Sequence, residues 1–377
     1  MVKKFRRSAA GYEEQLPSDI RPPLVLRKTL DYLINDVVGG PEPLATVHGF
    51  VWDRTRSIRN DFSIQQVTKI DDVKIAIDCF ERIVRFHILS LHQLSRPGEH
   101  GGEFNAHQER TQLNNALLSL HHYYEDNQNT LTSPNEAEFR AYAIIFEIQD
   151  LRPDVEDRLQ NLPKHILKDP RVRTAWRLYA AAANTTDQQG PLQPQTRFMT
   201  AQANTGGFWS MVESNSVSYL MACMTEIYFN HVRRTRLKAI WKAYKGKRAG
   251  PTREGDNWIL WDLRTALGFD DEEQTRTFCE QQGFTITMPE NEDPYIDLGS
   301  ADGGNFAGQS LPLKLPDTCK LFFRFKITIA ANFLKRLGRI KEIRPYLASS
   351  HQRHECFSSP SPRLCGGTDR CRDYINR

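Results

Sequence analysis

The residues with the clearest chemical purpose lie between His231 and Arg253, where nine Lys or Arg residues occur without one Asp or Glu. They are Arg233, Arg234, Arg236, Lys238, Lys242, Lys245, Lys247, Arg248 and Arg253. The chain has 50 basic and 46 acidic residues, so without these nine it has 41 basic residues against 46 acidic ones. Cationic groups concentrated in this way favour contact with a phosphate backbone. Such contacts give salt-dependent affinity and little sequence preference.

A helix is the element that must hold these side chains. Four apolar residues recur at i, i+3, i+4 and i+7, as on the core-facing side of a helix: Leu237, Ile240, Trp241 and Tyr244. Four cations recur at i, i+4, i+8 and i+11 on another face: Arg234, Lys238, Lys242 and Lys245. The alternatives are a solvated face or a face that meets an acidic protein surface.

The bulk composition indicates a soluble globular protein of two or three domains, with 377 residues, 39% apolar and 25% charged. No apolar run approaches the ~20 residues of a membrane span. The basic start over residues 1–7 lacks a following apolar segment, which argues against a secretory signal and leaves a nuclear-import signal open. Seven Cys without paired spacing favour a reducing compartment, cytoplasm or nucleus.

The chain divides into four parts by pattern. Residues 1–22 form an extended lead, and residues 23–230 form successive amphipathic helices with short connections, as in a stacked helical repeat. The helix after Ser133 is apolar on most sides and is expected to lie centrally, with Ser133 to Glu136 as its capping box. Residues 301–377 are an uncertain basic segment and a tail expected to be disordered.

Residues 231–300 have the order of a winged helix, which is three helices followed by a β-hairpin. The cationic helix comes first, and a helix beginning at Asp270-Asp271 comes third. Alternating residues over 284–288 and 295–298 predict the hairpin. Four aromatic residues are expected in the core of this part: Trp258, Trp261, Phe269 and Phe278. The fold class is therefore mainly α, with one small hairpin.

Common catalytic and nucleotide-binding motifs are missing from the sequence, so we predict no catalytic, cofactor-binding or metal-binding residues and no enzyme activity. His87 falls on an apolar helical stripe and is expected to be a hydrogen-bonded core histidine. The C-terminal Cys and His residues lack a C-x-x-C pair, so a zinc site there is not favoured. The charged segment 53–61 is interpreted as structural, with arginines that cross-link neighbouring helices.

Several segments resemble the SAC/GANP family. They are L-P-S-D-I-R-P-P at 16–23, T-L-D-Y-L at 29–33, the stretch 50–66, H-I-L-S at 87–90 and E-F-R-A-Y at 138–142. The pattern D-R-x-R-x-I-R-x-D over 53–61 is the most specific of them. The resemblance extends over about residues 8 to 315.

The resemblance implies a PCI-like helical stack that ends in a winged helix. It also implies a scaffold of a nuclear-pore-associated transcription-and-export complex, which pairs with a second PCI-type subunit and a small acidic proteasome-lid-type protein. RNA or DNA would bind through basic surfaces of the paired winged helices. The family's flanking segments are not found, so a fragment or a truncated gene model is expected. Residues after about 315 could then be a mistranslated intron.

Two other classes remain open. The first is a PCI-type protein-interaction subunit of a proteasome-lid or signalosome-like assembly, in which the basic helix would meet an acidic partner rather than phosphate. The second is an enzyme whose site has no recognised motif. Binding to a purified acidic partner without binding to RNA would favour the first, and turnover by the isolated chain would favour the second.

Overall fold

The computed structural model describes residues 2–6, 16–95, 104–148, 155–183, 205–244, 258–289 and 293–298. Helices dominate these ranges and two short strands form a single hairpin, which confirms the mainly α fold class. Within these ranges no helix is both long and apolar enough to cross a membrane. Residues 301–377, predicted to be a basic segment and a disordered tail, lie outside the described residues.

The helical stack begins with a 3-10 turn, Pro17–Asp19, and a helix that continues as a π-helix over Leu33–Val38. Its helices are α1 (Pro23–Tyr32), α2 (Leu44–Gln65), α3 (Ile70–Leu94), α4 (Ala106–Asn127), α5 (Glu136–Phe146), α6 (Val155–Gln160), α7 (Lys164–Leu167), α8 (Pro170–Ala183), α9 (Gly206–Glu213) and α10 (Tyr219–Glu226). The elements that follow are α11 (Phe229–Tyr244), α12 (Leu260–Leu267), α13 (Glu272–Gln281), β1 (Thr285–Thr287) and β2 (Tyr295–Asp297).

Neighbouring helices of the stack bury their apolar sides in one continuous core. Helix α3 contacts α1, α2, α4 and α10, and helix α5 contacts α4, α7, α8 and α10. The central position predicted for α5 is thereby confirmed. A turn at Ile227 and Tyr228 separates α10 from α11. Both residues are buried, and the Tyr228 hydroxyl donates to the Phe146 carbonyl at 2.5 Å, which fixes the chain at this turn.

The capping box expected from Ser133 and Glu136 is not formed. A buried carboxylate on α3 binds the Ser133 hydroxyl, and Glu136 pairs with Arg140 instead. Glu81 of α3 accepts hydrogen bonds from the Ser133 hydroxyl at 2.9 Å and the Asn135 amide at 2.7 Å. It also accepts one from the Tyr124 hydroxyl at 2.8 Å. Helix α5 therefore starts at Glu136, whose carboxylate pairs with Arg140. Burial raises the pKa of Glu81, although these hydrogen bonds oppose the rise.

The segment 53–61 on α2 is used for internal contacts, in agreement with the structural interpretation. Arg59 donates to Gln112 of α4 at 2.5 Å, which confirms the predicted cross-link between helices. Asp61 is fully buried and accepts from Arg21 Nε at 2.7 Å. The N-terminal residues lie across the same helix: Phe5 stacks under the Arg56 guanidinium at 4.0 Å, and its N–H donates to Asp53.

One buried carboxylate joins three helices through two histidines. Glu109 of α4 lies 2.7 Å from Nδ1 of His87 on α3 and 3.2 Å from Nε2 of His48 on α2. His87 and Glu109 are essentially inaccessible to solvent, so the prediction of a hydrogen-bonded core histidine is confirmed. Burial alone would raise the pKa of Glu109, but the two imidazoles lower it to about 2. Burial also lowers the pKa of His87, against the opposing attraction of Glu109.

Acidification is expected to destabilise the stack through this cluster. Below its usual pKa of about 6.5, His87 gains a proton in the unfolded chain more readily than in the folded one. The free energy of unfolding therefore decreases as the pH decreases. Glu109 adds a second loss, because its stabilising charge is fully present only above about pH 4.5 and disappears as pH falls towards 2. We expect the free energy of unfolding, measured in urea, to fall by about 1 to 2 kcal/mol from pH 7 to pH 5.

The matched control is Glu109→Gln, which keeps the shape of the side chain and removes the charge. This variant should be less stable at pH 7 and should lose more stability than the parent protein between pH 7 and pH 5, because Glu109 no longer opposes the fall in the pKa of His87. Below about pH 4.5 it should vary less with pH, because the titrating carboxylate is gone. Equal pH dependence in the two proteins would show that the cluster is not responsible.

Residues 229–244, 258–289 and 293–298 form what we call the hairpin module. Its strands pair antiparallel, with Ile286 opposite Ile296. A third short segment joins the outer side of β2, since Ile259 bridges to Tyr295 and the Ile296 N–H donates to the Trp258 carbonyl at 3.1 Å. The order is therefore helix, short strand, two helices and hairpin. The three helices and the hairpin come in the predicted order, and the short strand at Ile259 was not predicted.

Candidate nucleic-acid interface

Helix α11 is a member of two hydrophobic cores at once. Its first half contributes Phe229 and Val232 to the core of the stack. Its second half contributes the predicted stripe, with Leu237, Ile240 and Trp241 buried in the core of the hairpin module and Tyr244 partly buried against it. The helix that carries the basic residues is thus held rigidly at both ends.

Arg233 lies between the two cores and corrects the prediction that it contacts phosphate. Its side chain is completely buried. Its guanidinium lies 3.7 Å from the centre of the Phe269 ring and 5.6 Å from the Trp209 ring. Nε and Nη2 donate to the carbonyls of Leu267 and Gly268 at 3.1 and 2.6 Å. These carbonyls end α12, where a positive charge is favourable, so Arg233 joins the stack to the module.

Gly268 allows the indole of Trp209 to approach the backbone at the end of α12. Its φ of +65° is the left-handed conformation that ends a helix, and the Phe269 N–H closes the turn on the Arg264 carbonyl at 3.1 Å. A Cβ atom at this position would lie 2.8 Å from Cδ2 of Trp209. The indole of the stack therefore packs directly on the backbone of the module.

Contacts at the two ends of α11 show that it runs antiparallel to α12. Arg233, in the first half of α11, reaches Leu267 and Gly268 at the end of α12. Tyr244, the last residue of α11, makes an edge contact with Trp258, just before α12 begins, with 6.1 Å between ring centres. The start of α12 and the end of α11 therefore lie at the same end of the module.

Four of the predicted phosphate-contacting residues are partly exposed on α11: Arg234, Arg236, Lys238 and Lys242. The helix carries no carboxylate of its own. Burial lowers the pKa of Arg236, with Tyr244 opposing the shift. The remaining predicted residues lie outside the described ranges: Lys245, Lys247, Arg248 and Arg253.

Trp261 corrects a second prediction, because it does not belong to the core of the module. Trp258, Phe269 and Phe278 all pack in or against that core. The Trp261 side chain is 54% exposed, on the side of α12 away from the buried Leu263 and Leu267. The Arg264 guanidinium lies 3.9 Å from the centre of its ring. The helical spacing of the α12 leucines was the available signal, since Trp261 falls off their stripe.

Helix α13 is the third helix of the hairpin module, and it is acidic. The Asp271 side chain caps its start by accepting from the Gln274 N–H at 2.7 Å, and Glu272 and Glu273 follow in the first turn. Arg276 lies between Glu273 at 3.3 Å and Glu280 at 3.5 Å. The carboxylates of Asp271, Glu272 and Glu273 are stabilised by the positive end of the helix and oppose the approach of phosphate there.

Comparison with known proteins gives a consistent family assignment. The model of the SAC3/GANP family matches residues 1–288. The chain is 42% identical over 293 residues to SAC3 family protein 1 of Schizosaccharomyces pombe, which covers 77% of the chain and 27% of that protein. It is 27% identical over 294 residues to Protein xmas of Drosophila melanogaster, which covers 76% of the chain and 13% of that protein.

A plant relative shows similar coverage. SAC3 family protein B of Arabidopsis thaliana is 27% identical over 303 residues, which is 78% of the chain and 16% of that protein. The chain thus matches about a quarter or less of the length of each of these relatives. SAC3/GANP proteins are known as scaffold-type proteins of mRNA export and are associated with the nucleus. The family model and the yeast relative both match most of the chain. The chain therefore belongs to the SAC3/GANP family.

Proposed function

We propose that this chain is a non-catalytic scaffold of mRNA export that holds nucleic acid on the exposed face of α11. The observation that carries the proposal is a helix without carboxylates that presents partly exposed Arg234, Lys238 and Lys242. Because α11 belongs to both cores, these cations are presented on a rigid support. Family membership supports the export role.

The proposed setting is a transcription-and-export complex at the nuclear pore. In that complex the chain pairs with a second PCI-type, winged-helix subunit and with a small acidic protein of the proteasome-lid type. The order of elements in the hairpin module supports the winged-helix part of this proposal. Purification of the complex from nuclear extract with and without nuclease separates direct protein partners from those bridged by nucleic acid.

Charge reversal on α11 tests the nucleic-acid site. In the variant with Arg234→Glu, Lys238→Glu and Lys242→Glu, we expect affinity for RNA to fall at least tenfold at moderate salt. Each lost phosphate contact removes roughly 0.7 to 0.9 from the slope of log affinity against log salt, so the slope should shrink by about 2. Fluorescence anisotropy with a labelled RNA over a series of salt concentrations measures both quantities.

A variant with the same change in net charge provides the control. Lys28 on α1, Lys69 just before α3 and Lys74 on α3 are exposed, and their reversal to Glu should leave affinity within about twofold. Equal effects of the two variants would indicate nonspecific attraction to the whole surface. Unchanged affinity and slope in the α11 variant would reject the site.

The acidic helix α13 favours a second candidate, a PCI-type subunit of a proteasome-lid or signalosome-like assembly that binds proteins without nucleic acid. Its carboxylates suit a basic protein surface better than a phosphate backbone. In that case α11 would bind an acidic partner. Reversal of Arg234, Lys238 and Lys242 would then abolish binding to the purified acidic protein, while the parent chain would bind no RNA at moderate salt.

A further inference from the structure

We infer that the nucleic acid taken by the hairpin module is single-stranded and that Trp261 stacks on one of its bases. This inference rests on the proposed function and adds the class of ligand and a residue outside the predicted basic set. It comes from the unexpected position of Trp261, the acidic character of α13 and the antiparallel arrangement of α11 and α12.

The exposure of Trp261 separates it from the other tryptophans. All six tryptophans of the sequence lie in the described ranges, and Trp261 alone among them is exposed. Its indole forms no part of either hydrophobic core. An exposed indole offers a flat surface on which any base can stack, which stabilises binding by about 1 to 3 kcal/mol per base.

Arg264 makes this surface more suitable for a nucleotide. Its guanidinium, 3.9 Å from the centre of the Trp261 ring, fixes the indole and adds positive charge beside it. The guanidinium is held in turn by a hydrogen bond from Nη1 to the Asp270 carbonyl at 3.3 Å. Trp261 and Arg264 therefore form a positioned pair of a ring and a cation.

The position of Trp261 relates it to the basic helix. Because α11 and α12 are antiparallel, the first turn of α12 lies at the end of the module where α11 ends. Trp261 belongs to that first turn, and Lys242 belongs to the last turn of α11. A strand whose phosphates contact α11 can thus continue towards the indole with its bases unpaired.

Helix α13 argues against a duplex as the preferred ligand. A winged helix that reads a duplex places this helix in the major groove. Here the exposed Glu273 and Glu280 flank Arg276, and Asp271 occupies the start of the helix. Carboxylates at these positions would face the phosphates that line the groove. Contact through α11 with stacking at Trp261 avoids this repulsion.

The test compares a labelled 20-nucleotide single-stranded RNA with the duplex of the same sequence, by anisotropy with the full chain. We expect the parent protein to prefer the single strand. Trp261→Ala should lower affinity for the single strand about tenfold, and Trp261→Phe should retain most of it. Affinity for the duplex and the salt slope should stay unchanged, because no phosphate contact is removed.

Met288→Ala is the matched control, since Met288 is an apolar side chain of the same module and is 60% exposed. It should not change affinity, and thermal unfolding should confirm that each variant is folded. If Trp261→Ala binds the single strand as well as the parent while the α11 reversal weakens binding, the stacking inference is overturned and the proposed function stands. If the α11 reversal also has no effect, both fail. Loss of a protein partner in Trp261→Ala, with RNA binding intact, would assign Trp261 to a protein contact and overturn the inference.

Discussion

Replacing Arg233 with Ala is expected to reduce the free energy of unfolding by about 3 kcal/mol. The change removes the donors that reach the buried carbonyl of Leu267 and the partly buried carbonyl of Gly268, at a cost of about 1 to 3 kcal/mol. It also opens a cavity beside the Phe269 ring, which adds to the loss. Urea unfolding followed by tryptophan fluorescence measures the effect.

The neighbouring residue supplies the control for this prediction. Arg234→Ala removes the same side chain from a partly exposed position and should cost less than about 0.5 kcal/mol. It should nevertheless lower affinity for RNA. Arg233→Lys should instead lower the free energy of unfolding, because an ammonium cannot reproduce the planar fork that reaches both carbonyls. Similar stabilities for Arg233→Ala and Arg234→Ala would contradict the role given to Arg233.

Asp61→Ala is expected to have a comparable or larger effect, about 3 to 5 kcal/mol. Asp61 is fully buried and accepts from Arg21 Nε at 2.7 Å, and Arg21 is itself only 6% exposed. Removing the carboxylate leaves the guanidinium buried without its acidic partner. The Arg21 guanidinium also donates to Ser57 at 2.9 Å, and that bond cannot neutralise its charge.

The double variant Arg21→Met with Asp61→Ala separates loss of the pair from loss of volume. It should recover a large part of the stability lost in Asp61→Ala, because the buried guanidinium is removed together with its carboxylate, and the ammonium of Lys3, 3.8 Å from Asp61, is 24% exposed. Urea unfolding of the four proteins in this cycle gives the coupling energy directly. Additive losses would mean that the two side chains do not stabilise one another.

The periodicity of the sequence predicted the helices and the apolar stripe of α11, because burial of one side is a local property of a helix. The same periodicity indicates that Arg233 lies on the buried side of α11. It lies four residues after Phe229 and four before Leu237, both of which are buried, so it falls on the stripe itself.

Other features depend on contacts between segments that are distant in sequence. The carboxylate of Glu81 disrupts the expected capping box from 52 residues away, and Glu109 joins histidines on two other helices. Spacing within one helix gives no information on such pairs. The exposure of Trp261 follows from which residues of α12 face α11, and this depends on how the two helices pack.

The double membership of α11 has a mechanical consequence. The division predicted after residue 230 falls inside this helix, two residues after it begins. A helix resists bending, so the hairpin module has no hinge at this point and cannot swing away from the stack. Whatever surface anchors the stack in an assembly therefore also sets the direction in which Arg234, Lys238 and Lys242 point.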